Sequence, residues 1–117
     1  MTRTLFILIL LFCFSCTRTI ERPPAPKKLL SKEKMVEVMT EMVKLESYVK
    51  ETYKQVPVYH KLMIHSGDSL LHDFDLNREV YENSINYYSS RQDEMKAIYD
   101  EVLEELNKEL GKLQSEK

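Results

Sequence analysis

Seven apolar residues recur at helical spacing near the end of the chain: Met95, Ile98, Tyr99, Val102, Leu103, Leu106 and Leu110. A stripe with this period belongs to an α-helix that buries one face. The spacing predicts a helix from Arg91 to about Leu110, with Glu101, Glu104, Glu105 and Lys108 on its outer face. Glu104 and Lys108 are placed for a favourable i, i+4 pair. Ser90 and Asp93 resemble a capping box, and Gly111 is the expected C-cap. The stripe is wide, and it demands partners. The rest of the chain supplies them as further helices.

A first helix is predicted to begin near Ser31, a preferred N-cap. Leu30 and Met35 are spaced as a hydrophobic staple. Met35, Val38, Met39, Met42, Leu45, Val49 and Tyr53 then lie on one face. The three methionines read as core residues rather than an adaptable binding surface. Pro57 ends that helix and suits the first position of a second, from about Val58 to Phe74. Its apolar face is Tyr59, Leu62, Met63, Leu70, Leu71 and Phe74. Gly67 invites a kink, or a break with Asp68 as a new cap. Asp75 tolerates a left-handed turn, and Asn77 caps a third helix, roughly Arg78 to Ser89. Tyr81, Ser84, Ile85 and Tyr88 form its inward face, and Leu76 with Tyr81 repeats the staple. The expectation is an all-α fold, a small bundle of three to four helices, with the first and last helices antiparallel.

The N-terminal residues carry the clearest functional information. Arg3 precedes an unbroken apolar run, Leu5 to Phe14, followed by Ser15-Cys16. This is the layout of a bacterial secretory signal. The run is too short to span a hydrocarbon core, which needs about 20 apolar residues. A cysteine after such a run resembles a lipobox, so Cys16 is the expected lipidation site and first mature residue. The reading divides the chain into a signal peptide at 1–15, a lipidated Cys16 with a flexible tether at 16–30, a helical domain at 31–113 and a frayed tail at 114–117. Pro23, Pro24 and Pro26 preclude a regular helix within the tether. Cys13 leaves with the signal, so the domain has no thiol, disulfide or cysteine metal site and must be held by apolar packing.

The mature charge is slightly acidic. Residues 16–54 carry nine basic and six acidic groups, and residues 55–117 carry seven and thirteen. No clustered basic footprint supports nucleic-acid binding. With only Gly67 and Gly111, the chain has no Gly-rich phosphate loop, and no nucleophile motif marks a serine site. An enzyme is not expected, nor a cofactor beyond the lipid on Cys16. His65, Asp68 and His72 share a face if the second helix runs through Gly67. The two imidazoles are then ~10.5 Å apart along the axis, too far for one ion, so they read as polar surface. Tyr81, Tyr87, Tyr88 and Tyr99 cluster at the third–fourth helix corner and form the expected interaction surface. Of these, Tyr87 is the expected exposed contact, and the other three suit a boundary position with the ring buried.

Pro-Ala-Pro before the first helix, then Leu-Leu-His-Asp-Phe-Asp-Leu, Tyr81-x-x-Ser84-x-x-Tyr87-Tyr88 and Ile98-Tyr99-x-x-Val102 form a recognisable series over roughly Pro24 to Leu110. It resembles a family of small Bacteroidota lipoproteins classed only as domain of unknown function 4296. The chain departs from that pattern at Asp75, where a glycine is expected. The resemblance implies an envelope lipoprotein and an all-helical fold, and implies no activity. Only one acidic residue, Glu21, follows Cys16 closely, which favours a periplasm-facing domain on the outer or inner membrane over the cell surface. The functional expectation is a non-enzymatic interaction module or accessory subunit with an envelope protein partner. A small-ligand, lipid or metal carrier is the alternative.

Overall fold

The computed structural model describes Met1 and residues 21–116. Four helices and no strand occur among the described residues: α1 (Lys32–Thr52), α2 (Val56–Asp73), α3 (Arg78–Ser89) and α4 (Gln92–Ser115). The all-α expectation holds. Local chemistry sets the helix starts. The Ser31 hydroxyl accepts from the Lys34 backbone N–H, and the Asn77 side chain accepts from that of Val80. Each satisfies a first-turn donor that the helix itself leaves unpaired. Asp75 occupies the left-handed region at φ 56°, the turn its short polar side chain tolerates.

One question left open by the sequence closes, and two local expectations change. Helix α2 runs unbroken through Gly67, with Gln55 at its cap and Pro57 in its first turn. A Cβ at Gly67 would stand 3.7 Å from Met42 Sδ, an ordinary contact, so a small side chain would fit there. Helix α4 runs past Gly111 to Ser115. The Ser90–Asp93 box does not form, because the Ser90 hydroxyl donates back to the Tyr87 carbonyl at 2.7 Å.

Helices α2 and α4 both pack on α1, and α3 bridges α2 and α4. Helix α2 is antiparallel to α1: Tyr59 bonds Glu46 near one end, and the Lys34 ammonium lies 4.6 Å over the Phe74 ring at the other. The last helix is parallel to α1, not antiparallel. Lys32 pairs with Glu94 and Lys44 with Glu109, each at 3.0 Å, so both helices advance together. The reason lies in α3. At 12 residues it is only ~18 Å long, and it both follows the returning α2 and reaches Leu30 beside the start of α1. The chain therefore never travels back to the far end before α4 begins. We call the end where α1 and α4 start the base, and the opposite end the tip.

The core sits at the base. Leu30, Met35, Val36, Met39, Tyr88, Met95, Ile98 and Val102 form one buried cluster, with Leu76, Tyr81 and Ile85 packed against it. Leu30 belongs to the expected tether, yet it is buried here.

Candidate functional site

Two surfaces merit description: the base, where the N-terminal segment meets α3 and α4, and the apolar residues left outward at the tip.

At the base, Ser84 and Tyr88 lie one turn apart on the inward face of α3. Ser84 is fully buried; its hydroxyl donates to the Val80 carbonyl at 2.8 Å and accepts from the Leu30 N–H at 3.1 Å. The Tyr88 hydroxyl donates to the Leu30 carbonyl at 2.7 Å. Both backbone groups of Leu30 are thus satisfied by side chains far along the chain. Burial pushes the Tyr88 phenol above its usual range, with Glu94 adding to the shift. Arg91 completes the clasp. Its guanidinium lies 3.6 Å over the Tyr87 ring and donates to the Pro23 carbonyl at 3.1 Å. Tyr87 meets Tyr88 edge to face at 5.2 Å.

The tyrosine assignment is therefore corrected. Tyr88 is core, and cannot be a contact surface. Tyr87 is half-buried beneath Arg91, and Tyr81 is half-buried with its phenol pushed up chiefly by desolvation. Tyr99, expected at the boundary, is the exposed one. A wheel places Tyr87 off the inward stripe, but it does not show that Arg91, at the following hairpin, folds back over it.

His65 and His72 are exposed on the outer face of α2. Asp68 between them pairs with Arg78 at 2.7 Å, so its carboxylate is already engaged. Among the described residues no three His, Cys, Asp or Glu side chains converge as metal ligands. A shallow groove of about 400 Å³ runs between α2 and α3, floored by Met42 and walled by Met63, Tyr81 and Ile85. Cys16 lies outside the described residues.

At the tip, Tyr48 of α1, Tyr53 at its C-cap, and Val56 and Val58 of α2 are exposed around the α1–α2 turn. On α4, Leu103, Leu110 and Leu113 are also exposed. The sequence signal for the latter was the excess width of the final stripe. For the former there was none, because apolar residues at a turn look the same whether covered or not.

Fold and base together define a small all-α domain with its N-terminal segment pinned into the core. The chain belongs to the family described as Domain of unknown function (DUF4296), whose model matches residues 26–112. That span begins within the pinned segment and includes Leu30, Ser84, Tyr88 and Arg91, while Pro23, which accepts from Arg91, precedes it. No curated protein and no solved structure shows a significant match to the chain.

Proposed function

We propose that this chain is a lipid-anchored envelope protein, attached through Cys16, whose helical domain is a non-enzymatic interaction module or accessory subunit facing the periplasm. The observation that carries the reading is the polarity of the domain. Pro23 and Leu30 are held at the base, so the chain leaves toward Cys16 from that end. Uncovered apolar side chains gather at the other end, where Tyr48 is 65% exposed and Val56 75%. Apolar side chains exposed together at one end suit a protein contact. A domain anchored at its base presents that tip outward. No described helix is long and apolar enough to cross a membrane.

The test is crosslinked co-purification of the tagged full chain from solubilised envelope. A stoichiometric partner is expected with the parent chain and is lost in Tyr48→Asp/Val56→Asp, with the thermal midpoint unchanged. Retention of that partner by the variant would remove the tip from the model. Cys16→Ala is expected to release the protein from the membrane.

A further inference from the structure

The N-terminal segment is fastened at its two ends and loose between them. At one end Leu30 is pinned through both backbone groups by Ser84 and Tyr88, and Leu29 packs against the core cluster. At the other end the Pro23 carbonyl accepts from Arg91 at 3.1 Å. Among the described residues, no hydrogen bond reaches residues 24–29. Lys27 and Lys28 are exposed, and with Pro26 they border a cleft of about 380 Å³ whose other wall includes Asn77, Val80 and Asn83. The segment is a strap across that cleft.

Arg91 is placed to hold the outer end. Its Nη1 donates to the Tyr87 carbonyl and to the Ser90 hydroxyl, each at 3.0 Å, and its guanidinium lies on the Tyr87 ring. These contacts orient the side chain independently of the strap and leave Nη2 to reach Pro23. The strap is also stiff. Pro23, Pro24 and Pro26 have fixed φ, and Pro24 keeps Pro23 extended, so fastening costs little backbone freedom. Pro24 and Pro26 carry no N–H that would need a partner.

We propose that residues 23–30 are a strap that limits how far the domain stands from the membrane, with Arg91 as its latch. The proposal rests on the anchor at Cys16. With Pro23 fastened, the free chain back to Cys16 reaches at most ~25 Å. Held at Leu30 alone, it would reach at most ~50 Å. The latch therefore halves the reach and keeps the base beside the bilayer. Its release lengthens the tether without unwinding any helix.

The experiment measures energy transfer from a dye on Lys96→Cys to acceptor lipids, in phosphatidylethanolamine–phosphatidylglycerol vesicles carrying the purified lipidated chain. Position 96 is exposed and lies near the start of α4, at the base. Eight Gly-Ser residues are inserted outside the strap, between Arg22 and Pro23, or inside it, between Lys27 and Lys28. The outside insertion is expected to raise the r.m.s. length of the free tether roughly 1.5-fold and to lower transfer accordingly. The inside insertion is expected to leave transfer at the parent level, because both ends stay fastened and the longer loop closes at little extra cost. Adding Arg91→Ala to the inside insertion should lower transfer at least as far as the outside insertion does, with helix content unchanged. Equal loss from the two insertions would overturn the proposal, and so would an Arg91→Ala variant that leaves the inside insertion at the parent level. If Arg91→Ala unfolds the domain, the two insertions alone decide. If Cys16→Ala stays on the membrane, the anchor reading fails by itself. The latch is then read by trypsin, whose cutting after Lys27 or Lys28 should quicken in Arg91→Ala; an unchanged rate would overturn the latch as well.

Discussion

The base and the tip of this domain are made from the same helices and behave as opposites. At the base, α1, α3, α4 and the N-terminal segment close around one cluster, and even the backbone of a pre-helical residue, Leu30, is bonded by buried side chains. Among the described residues no buried side-chain nitrogen or oxygen lacks a partner. At the tip, α3 no longer contributes a layer, and valines, leucines and tyrosines face outward. The difference teaches where cohesion resides: it is concentrated where the chain enters, while several apolar side chains in the far halves of α1 and α4 stand uncovered.

The sharpest way to break this comparison is a matched pair of truncations on α4. Ile98 is almost wholly buried at the base, and Leu110 is exposed toward the tip. Ile98→Ala should destabilise by about 2–5 kcal/mol through lost transfer energy and the cavity left behind. Leu110→Ala should stay within ~0.5 kcal/mol. Urea unfolding of both variants reads the difference, and equal losses would mean that the tip is part of the core.

A smaller effect isolates the clasp. Ser84→Ala removes the acceptor of the Leu30 N–H and leaves a buried donor unpaired, which costs about 1–3 kcal/mol. The same unfolding measurement applies, and a neutral result would mean that water enters the base. Smaller again, and opposite in sign, Gly111→Ala should stabilise by roughly 0.5–1 kcal/mol. The glycine is inside α4, and a Cβ there meets nothing within 4 Å. Thermal melts should show a rise. A fall would mean that α4 ends at Gly111 after all.

The smallest expected effect lies between the two regions. Lys50 first, then the Tyr59 hydroxyl, holds the Glu46 carboxyl below its usual range. Its folded pKa is below the unfolded one, so the stabilisation is present at neutral pH and is lost as pH falls through the lowered folded value. The Glu46 side chain is 40% exposed and its Lys50 partner 61%, so solvent screens the pair and the effect is modest. Glu46→Gln should lower the melting temperature slightly at pH 7 and leave it almost unchanged at pH 3. A difference that persists at pH 3 would assign the effect to packing.

Much of the local structure was legible in the sequence. Ser31 and Asn77 mark helix starts because a cap is a bond between neighbours in the chain. Asp75 marks the left-handed turn for a similar local reason. The inward face of α3 follows from period alone, and Ser84 and Tyr88 are buried on it. Gly111 misled because its cost inside a helix is only ~1 kcal/mol, which the rest of α4 outweighs. The candidate surface was less legible. Tyr87 and Tyr99 exchanged roles because exposure depends on what folds back over a ring, and Arg91 does so only once the α3–α4 hairpin has closed.

By itself, then, the sequence determined the helices, their caps, the all-α class and the apolar N-terminal run, since each depends on residues within a few positions of one another. Tertiary structure decided the parallel course of α1 and α4, the pinning of Leu30 and which apolar residues of α4 stay uncovered. Those depend on the short α3 keeping the chain at the base, and on contacts between residues more than fifty positions apart that no periodicity encodes.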